Sequence, residues 1–177
     1  LLAAEHLLKL GHKRFAVVSG PEERVNSAER VTSFLKRVGL ESETKALVLN
    51  GDFSAEGAYV ACQKMLEGSV RPTAIFVTNN QMLIGVMRAL TEANLKVPRD
   101  ISVLSVDDFA WAGSFSPTLT VIRQPLDQIA KHCWRIFEHR LKNPDSQKQS
   151  VVLDPELVVR GSTAHFQTNE KKFVETV

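Results

Sequence analysis

The stretch TAIFVTNNQMLIGVMRALTEA, residues 73–93, decides the fold: an apolar run over 73–77, a polar turn Thr78-Asn79-Asn80, then a helical pattern from about 81 to 93 that ends near Asn94. A short apolar run bounded by turn residues reads as a buried strand, and the longer segment behind it as a helix. The same unit occurs on either side. Residues 15–18 run into Ser19-Gly20-Pro21, followed by a helix from about 27 to 38 stopped at Gly39. Residues 46–49 run into Asn50-Gly51-Asp52, followed by a helix from about 55 to 67 stopped at Gly68, and residues 101–106 end at Asp107-Asp108. The runs begin at 15, 46, 73 and 101, intervals of 31, 27 and 28 residues, which is what strand–helix–strand crossovers require. The expectation is an α/β fold, a parallel sheet flanked by helices, with strands covered on both faces because the runs carry few polar residues.

Working outward, a helix over about 2–10 precedes the first strand and stops at Gly11. A further strand is expected over 119–122, then Gln124-Pro125 and a helix over about 127–141. Its apolar positions Leu126, Ile129, Ala130, Cys133, Trp134, Phe137 and Leu141 fall on one face at helical spacing, the signature of a buried side. Residues 142–150 read as a polar connector, 151–153 and 157–159 as two short strands around Pro155, and 167–177 as a frayed tail.

The composition agrees with a globular chain. Of 177 residues 44% are apolar and 24% charged, which excludes disordered, collagenous and coiled-coil classes and leaves one domain or two small lobes. Lys plus Arg exceed Asp plus Glu by only 22 − 20 = 2, too near balance for a chain whose main partner is a phosphate backbone or an anionic membrane. Cys62 and Cys133 form no C-x-x-C pair and read as free buried thiols of a reducing compartment. No run approaches the roughly 20 apolar residues of a membrane helix, and no signal peptide opens the chain, so the cytoplasm is the expected location. Leu1-Leu2 stands inside a helical pattern, and an upstream segment is expected to have been removed.

In an open parallel sheet, ligands bind beyond the carboxyl ends of the strands, where loops and helix N-termini converge. There this sequence puts Arg24, Asn26 and Arg30, then Asp52 and Phe53, then Asn79 and Asn80, then Asp107 and Asp108, and finally Gln124. Amides, carboxylates and guanidinium forks with one aromatic ring suit a polyhydroxylated ligand: the planar groups serve paired hydroxyls and the ring covers a C–H face. Each residue also has a plainer reading. Helix capping and Asx turns account for Asn79, Asn80 and Asp107, solvated surface charge for Arg24 and Arg30, and a lid on the core for Phe53.

Six blocks carry a more specific signal: AAEHLLKLGHKRFAVVSGP (3–21), GDFSAEGAYVACQKML (51–66), RPTAIFVTNNQMLIGVMRAL (71–90), VPRDISVLSVDDF (97–109), PTLTVIRQP (117–125) and LDPELVVRGST (153–163). In order and spacing they resemble the effector-binding core of the LacI/GalR family of bacterial transcription repressors, whose members join a helix-turn-helix DNA headpiece to a two-subdomain core of type I periplasmic-binding-protein-like fold. By that resemblance the chain lacks the headpiece, the hinge helix and most of the first core subdomain. Residues 1–122 and 150–163 are then the C-terminal effector-binding subdomain, 123–149 the hinge crossing and a helix belonging to the N-terminal subdomain, and 164–177 a tail. That helix, with Trp134 and Phe137, is expected to lack its usual packing partner and to find another, by exchange between chains.

The resemblance makes Asn26 and Arg30 effector contacts and Phe53 the aromatic that stacks on the effector. It makes Asn79 and Asp107 polar and acidic contacts, Gln124 a hinge contact, and Arg24 a contact in some members only. Arg30, the forked donor, is the best single candidate, and Asp107 near it would neutralise its charge. Asn80 stands where most members have Asp, and Ser105-Val106 replaces the commoner Gly-aromatic pair, which reshapes the pocket wall. The implied partners are a small-molecule effector, a sugar or related metabolite, a second copy of the chain through Met87 and residues 111–115, and DNA only through the missing headpiece. The implied action is a ligand-driven shift between open and closed cores. The rival readings are a periplasmic sugar-transport protein of the same fold and an α/β enzyme. The enzyme is disfavoured: the sequence has no G-x-G-x-x-G, no G-x-x-x-x-G-K-[ST] and no G-x-S-x-G, and none of its five His has metal spacing, so no cofactor is expected.

Overall fold

A computed structural model of the chain describes residues 1–166; the expected frayed tail over 167–177 lies outside the described residues. In strand β1 (Arg14–Ser19) successive side chains enter two different cores. Phe15 and Val17 join one cluster and Ala16 and Val18 the other, the period-two signature of a strand covered on both faces. Strands β3 (Ala74–Val77) and β4 (Ser102–Val106) repeat the pattern and are buried throughout.

The core that takes Ala16 and Val18 lies under helices α3 (Ala55–Leu66) and α4 (Asn80–Glu92), and the core that takes Phe15 and Val17 under α1 (Leu2–Lys9) and α2 (Val25–Val38). Phe34 of α2 stacks on Phe76 at 5.0 Å and meets the edge of Phe15 at 5.6 Å, an aromatic triad that locks α2 to the sheet. With β2 (Lys45–Asn50), β5 (Thr120–Arg123) and β6 (Glu156–Val158), the strands form one sheet in the order β2-β1-β3-β4-β5-β6. The first five are parallel and β6 returns antiparallel to β5.

Three expectations need correction. β2 is the sheet edge, and Leu47 and Val48 remain 49% and 44% exposed, so its apolar run is not covered on both faces. Residues 151–153 form no strand, because β5 offers its ladder only to Glu156–Val158; Val152 stands 90% exposed. The last helix, α5 (Leu126–Lys142), buries none of its residues, and Trp134, Phe137 and Leu141 face solvent. Only Ile129 of the stripe is half-buried, at a groove it lines with Leu2 and Phe34, so the side that reads as buried is left mostly open, as for a helix that lacks its usual packing partner.

The amino-terminal rim of the sheet is closed by polar bonds. His12, 3% exposed, reaches Thr73 Oγ1 at 3.0 Å and Ser102 Oγ at 3.1 Å, and its Nε2 donates to the Ala164 carbonyl at 3.0 Å. Phe166 N–H donates to the Leu10 carbonyl at 2.8 Å. These bonds draw the chain beyond β6 back across the strand starts, and burial holds the His12 imidazole below its ordinary range.

Candidate effector site

The strand order reverses direction beside β1: the chain leaves β1 for β2 on one side and crosses back to β3 on the other. Helices leave the two strands on opposite faces at such a point, and a crevice opens beyond the carboxyl ends. Ser27, in the first turn of α2, holds that helix to the end of β1. Its Oγ lies 2.6 Å from Ser19 Oγ and 2.9 Å from the Gly20 carbonyl. The turn therefore presents Arg24, Val25 and Asn26 outward, all exposed. One helical turn later Arg30, half-buried, reaches across the reversal, and its Nη1 donates to the Thr78 carbonyl at 2.6 Å.

Phe53 arrives from β2. Asp52 and Phe53 both have left-handed backbones, φ +51° and +50°. This double turn lays the Phe53 ring over Gly20, where an added Cβ would sit 2.2 Å from ring carbon Cε1. Gly20 is therefore the one residue that lets an aromatic cover the end of β1. Asn79 follows β3 and caps α4, its Oδ1 accepting from Met82 N–H at 2.8 Å. The capping reading is thus correct for its carbonyl oxygen, whereas its side-chain NH2 is not used in that bond. Thr78 beside it is fully buried, and its hydroxyl has no hydrogen-bond partner among the described residues.

Asp107 follows β4 with φ +75°. Its N–H donates to the Ile122 carbonyl at 2.9 Å, and its Oδ1 accepts from Gln124 Nε2 at 2.5 Å. The expected pairing of Asp107 with Arg30 is not made: the left-handed turn aims the carboxylate at the exit of β5, and Arg30 is engaged on Thr78. The neighbouring Asp108 takes the guanidinium partners instead, Arg160 at 2.9 Å and Arg123 at 2.6 Å. Hydrogen bonds from Arg160, reinforced by Arg123, hold its carboxyl below the usual carboxylate range.

The seven expected positions thus follow the ends of five adjacent parallel strands: Phe53 at β2, then Arg24, Asn26 and Arg30 at β1, Asn79 at β3, Asp107 at β4 and Gln124 at β5. A groove of about 610 Å³ beside this rim takes in only Arg30 and Gln124 of the seven, along with Phe34, Phe76, Val106 and Ile122. Ser27, Arg123 and Arg160 are site residues that sequence reasoning misses, and Asp108, placed at the rim with Asp107, receives no role from it. The sequence signal available for Asp108 is its place beside Asp107, and for Arg160 its place in LVVRGST; their union across 52 positions needs the structure.

Residues 4–163 match the periplasmic binding protein-like domain. The chain belongs to that family. The ribose operon repressor of Escherichia coli (strain K12) is 35% identical over 164 residues, 91% of this chain and 49% of that protein. The HTH-type transcriptional repressor PurR of Vibrio atlanticus (strain LGP32) is 33% identical over the same shares. A solved LacI family transcriptional regulator from Enterococcus faecalis V583 with bound ribose superposes with a TM-score of 0.85 at 31% identity, covering 94% of this chain and 60% of that one. A dimeric Lac repressor superposes at 0.83 with 32% identity, covering 93% and 60%. This periplasmic binding protein-like domain spans about half the length of the curated relatives it matches. The likeness to the effector-binding core of LacI/GalR regulators, and the parallel α/β fold it implies, are borne out.

Proposed function

We propose that this chain is the effector-binding region of a cytoplasmic LacI/GalR-type transcriptional regulator, that it senses a sugar or related metabolite, and that it is not an enzyme. The observation that supports the reading is the run of polar groups along one rim of the sheet, on either side of the β1–β3 reversal. A guanidinium from α2, an aromatic ring over Gly20, an amide at the α4 cap and a carboxylate held by an amide all follow the ends of adjacent strands. Arg30 supplies a planar fork for adjacent ligand oxygens, Phe53 a face for ring C–H groups, Asn79 its amide N–H, and Asp107 with Gln124 an acceptor–donor pair. Arg24 and Asn26, exposed at the mouth, complete the wall. The names of the relatives favour a regulator over a transport protein, and the ribose bound by the Enterococcus faecalis regulator makes D-ribose the first ligand to test.

Residues 1–122 and 150–163 serve in this reading as one subdomain, and residues 123–149 carry a crossing to a second. DNA is engaged through an N-terminal headpiece of the whole protein, and a second copy docks through Met87 and residues 111–115, where Trp111 and Phe115 are both 36% exposed. A ligand changes such an assembly only through unequal affinity for its open and closed states. The test is thermal unfolding of the 177-residue chain with D-ribose. Ribose at ten times its dissociation constant stabilises by about 1.4 kcal/mol, a rise of roughly 3 to 5 °C for a chain of this size. Arg30→Ala abolishes the rise. An equal rise in variant and parent overturns the site.

A further inference from the structure

The Asp108 carboxylate is held by two guanidinium groups at once. Arg160 grips it as a fork, Nη1 to Oδ1 and Nη2 to Oδ2, both at 2.9 Å, while Arg123 donates to Oδ2 from Nε at 2.9 Å and from Nη2 at 2.6 Å. The Asp108 side chain is 13% exposed and that of Arg160 21%, so their fork is sheltered from solvent, while Arg123, 45% exposed, closes the clasp from the solvent side. Arg160 also donates to the Leu119 carbonyl at 2.9 Å, and Arg123 reaches Glu156 at 3.4 Å. The two arginines come from the two strands that flank the crossing segment. Arg123 ends β5 immediately before Gln124, Arg160 follows β6, and Arg123 and Glu156 are partners in the antiparallel ladder.

One residue before Asp108 stands Asp107, a non-glycine residue in a left-handed backbone. Such a conformation persists only where its surroundings over-determine it. On one side Asp107 is fixed by its own bonds to Ile122 and Gln124, and on the other by Asp108. Its two bonds thus reach the end of β5, and its neighbour Asp108 is held from the end of β5 and from just beyond β6.

We propose that Asp108 is the positioning residue of the effector site: its double clasp to Arg123 and Arg160 sets Asp107 and Gln124 in the geometry a ligand meets and ties that pair to both strands of the crossing. The inference rests on the reading that Asp107 and Gln124 face the effector. A ligand that draws on Asp107 thereby pulls on the strands that lead to and from α5.

The test uses Asp108→Asn in the 177-residue chain, with Arg160→Lys as a second variant that keeps the charge and loses the fork, and D-ribose as the probe. The first readout needs no ligand: the NMR shift and solvent exchange of the Gln124 side-chain amide report its bond to Asp107. Asp108→Asn is expected to move that signal toward solvated values and to weaken ribose binding about tenfold in the parent, with no further loss in an Asp107→Ala background. An unmoved Gln124 signal in a folded variant overturns the proposal, and so does a loss of ribose affinity that simply adds to that of Asp107→Ala. If Asp108→Asn fails to fold, Arg160→Lys is held to the same outcomes. If the parent itself binds no ribose, the effector reading fails separately, and the Gln124 signal alone decides the clasp.

Discussion

Asn79 commits one end of its side chain to α4 while its NH2 makes no hydrogen bond among the described residues, so two substitutions separate the roles. Asn79→Asp keeps the oxygen that accepts from Met82 N–H and loses the amide donor; Asn79→Ala loses both. Urea unfolding is expected to put Asn79→Ala about 1 kcal/mol below the parent and Asn79→Asp level with it, since either side chain caps well. Ribose titration is expected to show weakened binding in both, and undiminished affinity in Asn79→Asp removes the amide from the site. His12 gives a pH dependence of definite sign. Burial lowers its pKa from 6.5, so the unfolded chain binds the proton first as pH falls. Stability is whole above about pH 6.5 and declines below it, with His6 adding to the trend because burial lowers it too. Urea midpoints measured from about pH 7.5 to 5.5 are expected to fall, less steeply in His12→Gln. At this scale the types of the rim residues were legible in the sequence but their partners were not. Asp107 pairs with Gln124 rather than Arg30 because a left-handed φ turns its side chain, and no residue type announces that angle.

Elements were legible to within a residue or two wherever a chemical stop marks them. Gly39 closes α2, Ser54 caps α3 by accepting from Gly57 N–H, and Asn79 caps α4. What a pattern cannot tell is what lies against an apolar face. The stripes of α2 and α5 look alike in sequence, yet Phe34 is 1% exposed and Trp134 is 62% exposed. Their energetic weights diverge accordingly. Phe34→Ala opens a cavity between Phe15 and Phe76 and is expected to cost about 3 to 5 kcal/mol in urea unfolding, whereas Trp134→Ala stays within about 0.5 kcal/mol of the parent. A large loss from Trp134→Ala means that α5 is covered in solution by another surface. The exposed run of β2 follows from the same limit, since being last in a sheet is a property of strand order and not of composition.

For the whole molecule, the interval between strands gave the parallel sheet, because crossover length is fixed by helix and strand geometry. It could not give the return of β6, a strand of three residues that among the described residues pairs with β5 alone. The two rims differ in kind: the strand starts are stitched by His12, Thr73, Ser102 and Ala164, and the strand ends carry the polar groups proposed to meet an effector. The antiparallel return also makes residues 124–155 a detour that leaves and rejoins the sheet at facing positions, Arg123 and Glu156. Such a detour is an excisable cassette. Joined by an Asn-Gly turn, the two strands become an ordinary hairpin, and the shortened chain is expected to melt within a few degrees of its parent while shedding every solvent-facing aromatic of α5; a collapse in its melting temperature shows that the cassette holds the sheet together. The same junction, with Gln124 put back at its start to hold Asp107, then offers a place to splice in a foreign reporter helix, and so a route from this scaffold to a miniature biosensor.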